Sequence, residues 1–458
     1  MVKKIWMMII AIAIISCENE APIDYAIVSG NIVNKLDGDI SIRNRDKSVN
    51  ESITISEDGS FTDTLRIAKG DYMFFDGKNV VALHIEQGSV ISFDYDATNF
   101  ADSFSFTADN LGVSSYLLAK KKIERSGKNP MTLIQENDET EFKSHLQKRM
   151  KDLELLLENS NTSVDFKAQE KRNIYYSYLL GLQYFAKNHA KYAKKPDYIV
   201  SDDFLEELNS LDYDNEEEYF LLPTYKMLVG DYYTKQSTKL AEKEGVSFRI
   251  ANIRVISEIQ NEAIKSVLLK EAAGRISYVN PEDLDAFYNI LISNAIDENT
   301  KETVTTNYNA LKKVAKGMPS PKFIDYENFD GSKTSLDDFK GKFVYIDVWA
   351  TWCGPCKAQI PFLKKVEKQY HDKNIEFVSI SVDKKKDYEK WRKMVVDKEL
   401  TGVQLIADNE LKSDFTKDFL IRGIPRFILI DPAGNIIESN APRPLDPKLI
   451  ELFDELGI

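Results

Sequence analysis

The sequence predicts a multidomain protein: an N-terminal antiparallel β-sandwich, an all-α middle region and a C-terminal α/β domain. Three observations carry that reading. Apolar residues alternate with polar ones from Ala26 to Phe106, then recur at three- and four-residue steps from Leu111 to Lys316, and from Pro319 onward strand-like and helix-like blocks take turns. These are the periods of half-buried strands, of amphipathic helices and of a sheet with crossover helices. At 458 residues the chain has room for several domains of about 100–200 residues each. Its 43% hydrophobic content excludes a disordered protein. A net charge of -13 argues against a nucleic-acid partner, which needs a surplus of Lys and Arg. Three cysteines and four scattered histidines (His84, His145, His189, His371) exclude a disulfide scaffold and offer no ligand cluster, so no metal is expected.

Taken in order, residues 1–16 read as a signal peptide: Lys3 and Lys4, then an apolar run over 5–15. That run is too short to span a hydrocarbon core of roughly 30 Å. Ile14-Ile15-Ser16-Cys17 resembles a bacterial lipobox, which implies cleavage before Cys17 and lipidation of its thiol. Acyl chains contribute about 0.8 kcal/mol per buried methylene, so several on one cysteine anchor the protein stably. Residues 17–25 then form a lipid-attached tether. With Cys17 so used, Cys353 and Cys356 are the only remaining thiols.

The β-rich domain is expected over 26–108. Its inward pairs are Ile40/Ile42, Ile53/Ile55, Leu65/Ile67, Tyr72/Phe74, Val80/Ala82, Phe93/Tyr95 and Phe104/Phe106, parted by turns at Asp58-Gly59, Asp76-Gly77 and Gln87-Gly88. The helical domain is expected over 109–317. Leu146, Met150, Leu153 and Leu157 mark one apolar stripe, and Ile174, Tyr178, Leu182 and Phe185 another, with breaks near Pro130, Pro196, Pro223 and Pro281. The aromatic run around Tyr175, Tyr176 and Tyr178 reads as core, with a peptide groove as the alternative.

Lys316-Gly317-Met318-Pro319-Ser320-Pro321 is the expected linker to an α/β domain over 318–458. There the apolar strand 343–348 hands over to a helix at Trp352-Cys353-Gly354-Pro355-Cys356. A thiol at a helix N-terminus faces unpaired N–H groups and the positive end of the helix dipole, which favour its thiolate. With two residues between the sulfurs, Cys353 can form a mixed disulfide that Cys356 resolves. A zinc half-site would lack two further ligands, and a structural bridge across so small a loop would remove little chain entropy. Redox chemistry is the expected use.

The segment from Asp347 through Trp349 and Trp352 to Lys357 resembles the thioredoxin active site, and Arg422-Gly423-Ile424-Pro425 resembles its cis-proline loop. Pro319 to Phe323, Asp330-Gly331 and residues 336–342 look like the TlpA/ResA branch of exported, membrane-tethered thiol–disulfide reductases. The resemblance implies a thioredoxin fold and a catalytic trio of Cys353, Cys356 and Asp347, the last taking a proton from Cys356. It implies a substrate site of Trp352, Gly354, Pro355, Ile424 and Pro425, and a kink at Pro361. No cofactor is implied beyond the dithiol itself. The implied partners are exported proteins with disulfides, an upstream membrane thiol donor, and the membrane through the lipid. The implied location is the envelope of a Gram-negative bacterium, facing the periplasm.

Reduction is the expected direction, because thioredoxin itself stands near about −270 mV against about −120 mV for strong oxidants. Two positions depart from the pattern. Ser379 stands where thioredoxin has a buried lysine near Asp347, and Arg426 follows the cis-proline where Thr is usual, placing a cation toward the groove or toward solvent. Lys384-Lys385-Lys386 reads as a solvated face. The alternatives are an envelope lipoprotein that chiefly binds a partner and carries an accessory redox domain, and a peroxiredoxin-like peroxidase. The latter would need a Thr where Ala350 precedes Cys353.

Overall fold

Eight strands follow from the period-two stretch: β1 (Ala26–Val33), β2 (Ser41–Arg43), β3 (Asn50–Ser52), β4 (Ser60–Leu65), β5 (Gly70–Phe75), β6 (Val80–Ile85), β7 (Val90–Asp96) and β8 (Ser105–Asp109). The computed structural model describes residues 23–44, 48–295 and 297–458, so the signal peptide, Cys17 and most of the tether lie outside the described residues. The strands form two four-stranded sheets, ordered β4-β1-β7-β8 and β3-β2-β5-β6. Their inner faces share one core around Val28, Ile42, Phe74 and Phe93, with Phe74 set edge-on to Phe93 at 5.0 Å. The pairing is antiparallel except between β1 and β7, which run parallel.

One face differs from expectation. Val80 is exposed, and Val81, Leu83 and Ile85 point inward instead. Tyr72 pairs with Leu83 and Phe74 with Val81 across β5 and β6, and directly opposed residues share a face. Slipping the phase by one residue exchanges the two faces of a strand, and the run Val80-Val81-Ala82-Leu83 holds apolar residues in both phases.

Helices follow the sandwich, and their starts are written in cap residues. Asp138 and Glu141 form a capping box at the head of Glu139–Glu158, while Ser163 caps Val164–Tyr192. Along these helices Leu146, Leu153, Leu157, Ile174, Tyr178, Leu182 and Phe185 are buried, so the aromatic run serves mainly as core. The chain divides into two compact units at Leu211/Asp212. The second therefore contains the helices Glu216–Leu221, Pro223–Glu244, Phe248–Ser257, Glu262–Ala273, Leu284–Asn294 and Glu298–Lys313 together with the C-terminal sheet.

That sheet consists of β9 (Tyr326–Asn328), β10 (Lys333–Thr334), β11 (Phe343–Trp349), β12 (Ile375–Ser381), β13 (Val403–Ile406), β14 (Arg426–Ile430) and β15 (Ile436–Glu438), ordered β10-β9-β13-β12-β11-β14-β15. β11, β12 and β13 run parallel, β14 pairs antiparallel with β11, and β15 pairs antiparallel with β14. Strands covered on both faces read as unbroken apolar runs, as β11 does. The linker is strapped to the sheet's edge: Gly317 N donates to Ile436 O at 2.7 Å, and Ile436 N donates to Met318 O at 2.8 Å.

Candidate functional site

The dithiol sits where central β11 ends and the helix Gly354–Gln369 begins. Cys353 is the residue capping that helix, and its Sγ accepts the Cys356 backbone N–H at 3.1 Å. Pro355 lies in the first turn, where its missing N–H costs nothing, and the helix runs on through Pro361. The two sulfurs are joined as a disulfide, with the Cα atoms 5.3 Å apart. Both cysteines are only 4% exposed, so Cys353 is not the open one of the pair in this oxidised form. Helix and loop atoms enclose the bonded sulfurs, and the accessible rim is made by Trp352, Gly354 and Pro355.

Opposite the helix, the Ile424–Pro425 peptide is cis, and Ile424 O lies 3.7 Å from Cys353 Sγ. The loop before the dithiol is held by Asp383, a buried residue with no prior signal in the sequence. It accepts Thr351 N at 2.9 Å and Thr351 Oγ1 at 2.8 Å, while Ser381 Oγ donates to it at 2.7 Å. Trp349 is buried beneath this loop strand, and Trp352 is 58% exposed.

Asp347 lies in β11 between Ser379 of β12 and Phe427 of β14. Ser379 therefore does stand beside it, and the lysine that would share its charge is absent. One carboxylate oxygen of Asp347 has no hydrogen-bond partner. Burial pushes its pKa up to about 8, with the nearby Glu367 carboxyl adding to the rise. Glu367, on the dithiol helix, is itself held above the usual range by burial, partly offset by a hydrogen bond from Thr401 and the charge of Lys364. Sequence reasoning missed Glu367: its place eleven residues after Cys356 matters only once helix and sheet are packed.

Arg426 corrects both readings offered for it. It faces neither groove nor solvent but is buried, donating from Nε to Ser439 O at 2.8 Å and from Nη1 to Ser277 O at 3.1 Å. Desolvation lowers its pKa to about 10. Lys384, Lys385 and Lys386 are exposed. Among the described residues, no group of three or more His, Cys, Asp or Glu side chains is placed to hold a metal, and no helix is long and apolar enough to cross a membrane.

Residues 315–449 match the Redoxin family model. The ResA thiol-disulfide oxidoreductase of Bacillus thuringiensis subsp. konkukian is 27% identical over 136 residues, which is 28% of this chain and 70% of that protein. The thioredoxin-like protein YneN of Bacillus subtilis is 29% identical over 123 residues, covering 27% of this chain and 69% of its own. A solution structure of a candidate thiol-disulfide oxidoreductase from Bacteroides vulgatus is 49% identical with a TM-score of 0.28, spanning 31% of this chain and 90% of that one. With a disulfide-linked cysteine pair at the start of the helix that follows the central strand, the C-terminal part of the chain is a Redoxin domain of thioredoxin-like fold, and the protein is a thiol-disulfide oxidoreductase.

Proposed function

We propose that the protein is a membrane-anchored reductase of disulfides in exported proteins. The observation that carries this is the seat of Cys353: capping a helix, accepting the Cys356 N–H, and facing the Ile424 carbonyl. In the dithiol form, the Cys353 thiolate attacks one sulfur of a substrate disulfide, making a mixed disulfide and expelling the other sulfur as a thiolate. Cys356 gives up its proton to Asp347 and attacks Cys353 Sγ. The bond to substrate breaks, the second substrate sulfur leaves as a thiolate, and the Cys353–Cys356 disulfide remains. Two electrons have passed to the substrate, and an upstream membrane thiol donor restores the dithiol. No further cofactor takes part. Trp352, Gly354, Pro355, Ile424 and Pro425 line the face on which an extended substrate segment lies, its backbone pairing with that of Ile424.

Lipidation of Cys17 anchors the protein in the cell envelope of a Gram-negative bacterium, facing the periplasm. The support is the charged start, short apolar run and Ser16-Cys17 junction. Cys17→Ala is expected to release the protein from washed membranes or to leave its signal peptide uncleaved, as read by fractionation and intact mass. Fully processed Cys17→Ala protein that stays with the membrane would refute the anchor. The redox reading is tested by reduction of insulin with dithiothreitol as electron source. Catalysed precipitation of insulin chains supports it, and a rate equal to dithiothreitol alone overturns it.

A further inference from the structure

Helical residues of the second unit close on the cis-proline loop. A β-carbon on Gly423 would stand 2.1 Å from Tyr278 Oη, so the tyrosine's tip occupies the space that the glycine leaves free. Beside it, Arg422 Nη2 donates to Asn307 Oδ1 at 3.1 Å, and Arg426 Nη1 takes the Ser277 carbonyl. The loop is thus gripped on both sides of Ile424–Pro425 by residues more than a hundred positions earlier in the chain. Ile276 and Ser277 are buried, yet Tyr278 is 38% exposed. Its hydroxyl end lies against Gly423, one residue along the loop from Ile424.

Ile424 O lies 3.7 Å from Cys353 Sγ, so a substrate sulfur joined to Cys353 lies near Ile424. The polypeptide flanking that sulfur then runs along the loop and meets the partly exposed Tyr278. A small disulfide has no chain to place there. Aromatic rings carry a large share of the contact energy in such sites because they bury much area for little lost freedom.

We propose that Tyr278 is a specificity-determining residue: its exposed ring is the wall against which a protein substrate packs next to its disulfide, favouring polypeptide disulfides over small ones. The proposal rests on the reductase reading above. The reduced mature chain, mixed separately with insulin and with hydroxyethyl disulfide, gives two second-order rate constants from its tryptophan fluorescence. For Tyr278→Ala the insulin-to-hydroxyethyl disulfide ratio is expected to fall about tenfold, one ordinary interface increment. Tyr278→Phe keeps the ring and is expected to hold the ratio within about twofold of wild type. Gly423→Ala drives its new methyl into Tyr278 Oη and should lower the ratio, and adding Tyr278→Phe, which removes the struck atom, should restore it. An unchanged ratio in Tyr278→Ala, or an equal fall in both rate constants, makes the tyrosine a packing residue and overturns the proposal. Wild-type protein that reacts with neither disulfide overturns the reductase reading instead.

Discussion

Cys353→Ser is expected to lower insulin reduction by at least about a thousandfold, the scale on which removal of a covalent nucleophile acts. Cys356→Ser is expected to fail differently. Its first step survives, so mixed disulfides between Cys353 and substrate accumulate and turnover stops after one event. Acid quenching followed by non-reducing electrophoresis separates the two: trapped adducts with Cys356→Ser, none with Cys353→Ser. The asymmetry comes from the helix. Cys353 Sγ accepts a backbone N–H at the helix start, whereas Cys356 lies within the first turn. The reduced wild-type protein should likewise be alkylated first at Cys353 near neutral pH. Adducts trapped by Cys353→Ser, or first labelling at Cys356, would reverse the two roles.

Asp347→Asn is expected to slow release of the mixed disulfide by about a hundredfold where the acid is ionised, the usual worth of a positioned proton acceptor. The pH dependence has a definite sign. With its pKa pushed up to about 8, Asp347 is mostly protonated below neutrality, so the advantage of wild type over Asp347→Asn grows as pH rises toward 8. The stability effect is opposite. An unfolded chain releases this proton near the ordinary carboxylate value while the folded disulfide form keeps it, so the native state loses stability as pH climbs from about 4 to about 8. Asn removes that loss. Asp347→Asn should match wild type in stability near pH 4 and exceed it by on the order of a few kcal/mol above pH 8, as read from denaturant midpoints. Equal turnover across pH 6–9 in a stable Asp347→Asn protein would leave the carboxylate a purely structural role.

The legible parts of this molecule are those fixed by neighbours in the chain. The dithiol motif, the apolar β11 before it and the amphipathic helix after it are all local patterns, and so are the caps at Asp138 and Ser163. Ser379 beside Asp347 was legible through the thioredoxin resemblance, and β11 and β12 pair the two residues in register. What escaped depends on contacts between distant segments. The phase of β6 is decided by its pairing with β5, since its own run fits either face. Arg426 has a distant partner in Ser277, and nothing near Arg426 signals a buried guanidinium. Glu367 is an ordinary helix residue in sequence and a second buried acid only after packing. The division at Leu211/Asp212 falls in the short connection between the helices Glu206–Asn209 and Glu216–Leu221, with helical sequence on either side.

The grip on Arg426 separates two kinds of boundary. The stretch that matches the Redoxin model begins at residue 315, after every residue of the helical segment that holds the loop. Severed there, Arg426 would keep the Ser439 carbonyl and forfeit that of Ser277, leaving water to take that donor. Arg422 would forfeit Asn307 at the same stroke. The matched stretch is therefore shorter than the set of residues that holds its cis-proline loop. In this chain the family match and the set of contacts that hold the redox loop have different starting points, and Ser277, Tyr278 and Asn307 belong to the second.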